Sequence, residues 1–310
     1  EIFKPKIDIN NPINIELNSN QYNKYIRTFL KAYMGGYVNT INYIDNNMGY
    51  IEKKYKRWIK AKIKLEKNDF DIKLRITGEM KDHLNLSIPA ASLKVKILNG
   101  SFHGIKRFKL FLPKTRKETN EIFWSSSLKR FGLPIYHTQY VTVNLNGTKY
   151  KAIFQEESSK EFLERNAFRE TAILRNNDHL LFHSNKESWN LREKFYIDDS
   201  YILDNGTFIK NEVSIDIVSN AIALRNLKSF SDRINFNDFF IKASKKYAIH
   251  AIHKNNRKYI FNPIDNTFTP LYYDGMMTFA YSYDYNCIKN NDLLLKNLSL
   301  EFEEYSGRKL

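Results

Sequence analysis

Between Ile59 and Ile97 apolar residues alternate with charged ones at a period of two, and no other pattern in the chain limits the fold so tightly. Ile59, Ala61, Ile63 and Leu65 are interleaved with lysines, Lys67-Asn68-Asp69 makes a turn, and Ile72, Leu74 and Ile76 alternate with Lys73, Arg75 and Thr77. A slip of one residue in such a strand turns every apolar side chain to water, so the spacing dictates a hairpin with one dry face. Leu93, Val95 and Ile97 repeat the pattern against Lys94 and Lys96, and Gly100 to Leu112 reads as another strand pair. Val141, Val143 and Leu145 lead into Asn146-Gly147, a strong two-residue hairpin signal, after which Tyr150, Ala152 and Phe154 return.

Helical spacing brackets this β-rich block. Residues 1–20 are polar and Asn-rich with two prolines, and read as an extended arm. Tyr22, Tyr25, Ile26, Phe29, Leu30 and Tyr33 then recur on one helix face up to Met34, and Gly35-Gly36 stops the run. Asn120 can cap a helix from Glu121 to Arg130, and Ser158 with Glu161 forms a capping box for one reaching about Glu170. Ile217–Leu227 and Asn237–His250 have helical spacing, and a further helix is expected near Asp292 to Glu303. The expected class is α+β: an arm and helix over 1–50, a β-rich lobe over 51–157 and a mainly helical lobe over 158–310. The two lobes would flank a cleft hinged near Gln155 to Ser158.

Composition narrows the chemistry. With 310 residues, 42% of them hydrophobic, the chain can bury a substantial core. Its formal charge of +15 comes from lysines spread along the sequence, which reads as a solvated surface, and no specific nucleic-acid partner is expected. Cys287 is the sole cysteine, which excludes an intramolecular disulfide and a cysteine-based zinc site. No run approaches a membrane span. The chain opens at Glu1 without methionine, leaving two locations open: the cytoplasm, or the cell envelope if a leader or anchor has been removed.

The segment from His250 to Gly275 carries the densest set of chemical groups. Tyr259 to Phe261 and Phe268 to Tyr273 are β-prone, and Asn-Pro with Asp-Asn marks the turn between them. Asn256 precedes the first strand and Asp274 follows the second, so the two side chains can meet at one end of the ribbon and offer oxygen ligands to a hard cation.

The stretches KLRITGEMKDHL, ASLKVKI, FHGIKRFKLFLPKTR, NEIFW, YVTVNLNGTKYKAIFQEE, KEFLERNAFRETAILR, HAIHKNNRKYIFNP and PLYYDG run in order from about Trp58 to Gly275. Together they resemble the CotH kinase-like proteins, relatives of the bacterial spore-coat kinase with an atypical protein-kinase fold. That resemblance implies metal-dependent transfer of the ATP γ-phosphate to a Ser or Thr of a protein, with Mg2+ or Mn2+ and a coat or envelope substrate. Lys96, or Lys94 on the same strand face, would meet the phosphates, and Glu121 would pair with that lysine. Arg75 and Gly78 would stand in for a glycine-rich loop, and backbone groups of Gln155, Glu156 and Glu157 would meet the adenine. Asp274 would take the place of the metal-binding aspartate of the Asp-Phe-Gly motif, and Asn256 that of the catalytic-loop asparagine.

No aspartate lies between Ile241 and Pro263, so the base falls to His253 or His250, of which His253 is preferred. The missing loop aspartate also supports a second reading, a catalytically inactive nucleotide-binding pseudokinase that acts as a docking module. A zinc hydrolase built on His250 and His253 lacks a third ligand at metal spacing. A basic nucleic-acid binder is supported by charge alone.

Overall fold

The computed structural model describes residues 11–35, 49, 51–65, 67–176, 201–235, 237–253 and 256–276. These fall into two compact units: one holds the described residues up to Glu118 with His137–Phe162, the other Thr119–Tyr136 and the described residues from Leu163 onward. The helix expected near Asp292 to Glu303 lies outside the described residues.

The first unit is a closed barrel. Its strands in chain order are β1 (Ile13–Glu16), β2 (Ile59–Leu65), β3 (Asn68–Ile76), a minor pair β4 (Leu84–Asn85) and β5 (Ala90–Ala91), then β6 (Leu93–Ile97), β7 (Arg107–Phe111), β8 (Thr138–Leu145) and β9 (Thr148–Glu156). Around the barrel the order is β1-β2-β3-β6-β7-β9-β8. Neighbours pair antiparallel, except that β1 runs parallel to β8 with Ile13 opposite Val143. The alternation seen in sequence becomes an inside and an outside: Ile63, Leu74, Val95, Leu110, Val143 and Phe154 are buried, and the intervening lysines face out. Phe108 and Phe154 stack within the core with ring centroids 4.6 Å apart. Helix α1 (Ser19–Met34) adds Tyr25 and Phe29 to the same core and is capped by Asn18, whose Oδ1 accepts from the Gln21 amide at 3.0 Å.

The first correction concerns the arm: Ile13–Glu16 is the strand that closes the barrel. Four alternating residues in a polar flank are too short to stand out as a period. What holds them is distant in sequence. Asn146, at φ 45° in the β8–β9 turn, accepts from the Leu17 amide through Oδ1 at 2.7 Å and donates through Nδ2 to the Leu17 carbonyl at 2.8 Å.

The second unit combines helices with a sheet. Helix α2 (Thr119–Arg130) belongs here, with Trp124 and Leu128 packed among Phe239, Phe240, Ala243 and Tyr247 of a later helix. A short helix, α3 (Lys160–Arg165), carries the chain over from the first unit. It is capped by Ser159, whose Oγ accepts from the Phe162 amide at 3.1 Å, and it stops well short of Glu170. The Phe168 amide instead donates to the Leu163 carbonyl at 2.9 Å while Ala167 turns left-handed at φ 61°. No large apolar residue lies between Leu163 and Phe168, so a longer helix would have little to bury.

Strands β10 (Ile173–Asn176) and β11 (Tyr201–Leu203) come next, then α4 (Glu212–Arg225), α5 (Asn237–Tyr247), β12 (Lys258–Asn262) and β13 (Thr267–Leu271). The sheet order is β11-β10-β12-β13, and Leu174, Tyr259, Phe261 and Phe268 pack with Val218 and Ala221 of α4. The hairpin β12–β13 was legible in sequence; β10 and β11, in a stretch read as helical or left unassigned, were not.

Replacing Asn146 by Gly keeps a residue that tolerates positive φ but deletes both side-chain bonds to Leu17. Urea denaturation should show a loss of about 1–3 kcal/mol with an unchanged circular-dichroism spectrum. Burial also holds the hydroxyls of Tyr25, Tyr150, Tyr259 and Tyr272 protonated above their ordinary pKa of 10.0, Tyr259 up to about 12. A raised folded pKa contributes stability that is complete below the unfolded value and disappears as pH climbs through the folded one. In an alkaline titration, tyrosinate absorbance from these four should therefore appear together with loss of secondary structure, not before it.

Candidate functional site

The register of the β12–β13 hairpin brings its two chemical ends together. Lys258 lies opposite Leu271, so Asn256, two residues upstream, and Asp274, three downstream, emerge at the same end of the ribbon. The far turn is fixed locally: Asn262 Oδ1 accepts from the Ile264 amide and Asp265 Oδ1 from the Thr267 amide, each at 3.1 Å.

Between Asn256 and Asp274 sits His250, in the 3-10 turn Ile249–Ile252 that follows α5. Its Nδ1 lies 2.8 Å from the Asp274 carbonyl oxygen, and 3.8 Å from the Asp274 carboxylate. With the proton on Nδ1 the ring donates to the Asp274 carbonyl, and in the other tautomer Nδ1 accepts from Asn256 Nδ2. Asn256 is buried, and its Nδ2 donates to the His250 carbonyl at 3.0 Å while lying 2.9 Å from His250 Nδ1. Its Oδ1 accepts no hydrogen bond among the described residues. The preferred histidine, His253, stands one ring away, 5.5 Å from His250 between centroids, and its carbonyl accepts from the amides of Asn256 and Arg257. The ring nitrogen that touches Asn256 and Asp274 thus belongs to His250.

Asp274 adopts a left-handed backbone, φ 50°, and the structure shows what holds it there. The hydroxyl of Tyr272, wholly buried, donates to Glu121 Oε2 at 2.6 Å and accepts from the Gly275 amide at 3.1 Å. A Cβ on Gly275 would overlap that hydroxyl and the Ala248 methyl, so only glycine fits after the aspartate. Glu121, expected beside a strand lysine, is a fully buried member of this second-unit network. Burial, then the Glu121 carboxylate, raises the Tyr272 pKa, keeping the phenol protonated as the donor in the bond to Glu121.

One further set was not anticipated from the sequence. Lys258 Nζ reaches Asp204 Oδ2 at 2.7 Å and the Tyr136 hydroxyl at 3.3 Å, and lies 4.2 Å from the centre of the Tyr273 ring. Asp204 also meets Arg175 Nε at 3.2 Å. Lys258, held by Asp204, thereby sits against the ring of Tyr273, the residue that precedes Asp274. The one sequence signal was a lysine heading the apolar run Tyr259–Phe261.

The remaining expected residues lie in the barrel. Lys94 bonds Glu157 Oε1 at 2.7 Å, and Lys109 reaches the same oxygen at 3.5 Å. Burial pulls the Lys94 pKa below 10.5 while Glu157 pulls it back up. Lys96, one pleat along, makes no ion pair among the described residues; burial and then its neighbours Arg107 and Lys73 depress it. Arg75 lies 5.2 Å from the centre of the Trp58 ring, and its Nη1 is 3.5 Å from the Lys56 carbonyl.

Gly78, at φ 95°, is required by crowding: a Cβ there would overlap the ring of His83, itself 2.8 Å from the Ser92 hydroxyl. That packing is reason enough for a glycine without a phosphate. Gln155 and Glu156 end β9 and are buried in the ladder, and Glu157 follows them. The Glu156 and Glu157 amides already donate to the carbonyls of His137 and Arg107, so neither N–H remains for an adenine ring.

Among the described residues no group of three or more His, Cys, Asp or Glu side chains could hold a metal. Asn256 and Asp274 are nevertheless suited to a hard cation of the magnesium type, which typically takes one or two protein oxygens and completes its shell with phosphate and water. No helix among the described residues is long and apolar enough to cross a membrane. No protein-family model matches the chain, and no curated protein matches it. The kinase-like resemblance therefore rests on the quoted stretches alone.

Removing the Tyr272 hydroxyl deletes two buried hydrogen bonds, one to Glu121 Oε2 and one from the Gly275 amide. Tyr272→Phe should lower unfolding free energy by roughly 2–3 kcal/mol in a urea titration.

Proposed function

We propose that this protein is an atypical kinase-like phosphotransferase that moves the γ-phosphate of ATP to a Ser or Thr hydroxyl of a protein, with Mg2+ or Mn2+. The observation that supports the reading best is the convergence of Asn256 and Asp274 on His250 at one end of the β12–β13 hairpin. When bound, the divalent cation supplies positive charge against the phosphate oxygens.

The protein's own groups have narrower tasks in this reading. Asn256 holds its amide nitrogen on the His250 carbonyl and turns Oδ1 toward the ligand; Asp274 presents its carboxylate from a backbone locked by Tyr272 and Gly275. His250, whose imidazole is held between the Asp274 carbonyl and Asn256, is the group that takes the acceptor proton in this reading. Of the two strand lysines, Lys94 is the better phosphate partner in this reading, because Glu157 Oε1 fixes its ammonium at 2.7 Å.

A second reading, an inactive nucleotide-binding docking module, is favoured by the lack of an aspartate between Ile241 and Pro263. The two separate experimentally. Thermal shift with ATP and Mg2+ or Mn2+ reports binding, and radiolabelled ATP with a generic protein acceptor reports transfer. Stabilisation without transfer would select the inactive reading, and the absence of any shift would remove both.

The active reading expects Asp274→Asn, which keeps a residue tolerant of left-handed backbone, to cut transfer by about 100-fold or more with little change in melting temperature. Full activity in that variant would exclude the proposed metal position.

A further inference from the structure

The outer face of the barrel carries a row of charge that the proposed phosphotransfer does not use. Cross-strand register sets Lys60 opposite Lys73, Lys73 opposite Lys96, and Lys96 opposite Arg107, four cations on four adjacent strands. All four point outward and are exposed or half-exposed. None makes an ion pair among the described residues. Like charges placed directly opposite each other in a sheet are destabilising.

The neighbouring rungs set carboxylates against their lysines. Lys62 faces Asp71 and Lys64 faces Asp69. On the other side, Arg75, Lys94 and Lys109 form a rung in which Glu157 serves both lysines. The rung between them continues from Arg107 to Glu157, whose amide donates to the Arg107 carbonyl while its carboxylate is drawn onto Lys94 and Lys109, and this leaves a row of four cations. Strands about 4.8 Å apart make it roughly 14 Å long. Trp58, half-exposed on the same face, lies beside it with Lys73 Nζ 5.1 Å from its ring centre.

We infer that this row is a sequence-independent binding site for the phosphodiester backbone of a single-stranded nucleic acid. The occupant follows from what the face offers. A closed barrel has no free edge to which a peptide could add as a strand, so an acidic peptide would reach the row with its side chains alone. A phosphodiester carries charge in every backbone unit. The four residues are cations with no acceptor among them, suited to phosphates and blind to base edges. The half-exposed Trp58 indole, flanked by Lys73 and by Arg75 with its Cζ 5.2 Å from the ring centre, offers its open part as a platform for an unpaired base, which a duplex does not present. The inference goes beyond the phosphotransfer reading and stands or falls independently of it, since its readout is binding.

The test titrates the full chain into a fluorescein-labelled oligothymidylate of about 20 nucleotides and follows anisotropy over a range of salt. Four phosphate contacts on a single strand predict a slope of log affinity against log salt of about −3. Lys60→Gln with Lys73→Gln should bring it to about −1.4 and melt no lower than the parent, since repulsion is relieved. Lys62→Gln with Lys64→Gln removes the same charge from the rungs that face aspartates and should leave the slope unchanged.

Trp58→Leu should weaken binding about tenfold. Equal losses in the two double variants would mean that only overall positive charge is at work and would overturn the site. Polyglutamate binding as tightly as the oligonucleotide, or an unchanged affinity in Trp58→Leu, would overturn the assignment to a single-stranded nucleic acid.

Discussion

Everything in the first unit depends on the closing of its barrel by a four-residue strand. β1 pairs antiparallel with β2 on one side and parallel with β8 on the other. Without it, both neighbours would be edges with unpaired backbone groups. The junction is secured by Asn146 in the tight turn after β8, whose amide side chain holds both backbone groups of Leu17. One ring of registers then determines which residues share a rung on the outer face. The cationic row and the Lys94–Glu157 pair are consequences of that ring, not of local sequence.

The second unit applies the same logic on a smaller scale. A hairpin register places Asn256 and Asp274 at one end, and the 3-10 turn after α5 delivers His250 between them. Rigidity comes from beneath, where the Tyr272 hydroxyl ties the backbone after Asp274 to the buried carboxylate of α2. A candidate catalytic group held by such a buried, bonded layer does not have to be ordered when a ligand arrives.

What the sequence revealed and what it hid divide along one line. Strands with strict alternation, the Asn146-Gly147 turn, the helices α1, α2, α4 and α5, and the hairpin flanked by Asn256 and Asp274 were all readable, because each announces itself within a dozen residues. β1, β10 and β11 are short and take their identity from partners far away in the chain, so no local period marks them. The same limit governs the side chains. Lys94 finds its carboxylate on Glu157, sixty-three residues away, and Glu121 finds a tyrosine 151 residues away. Gly78 looked like a residue chosen for close approach to a ligand; the close approach is to His83.

The left-handed backbone at Asp274 also bears on how such a site could be lost. Asparagine, aspartate and glycine occupy that region at little cost, and other residues add strain to the loss of the carboxylate. Drift in a lineage released from selection would therefore leave Asn or Gly at this position more readily than Ala or Glu. Position 274 is thus one where the fold accepts asparagine or glycine with less strain than alanine or glutamate.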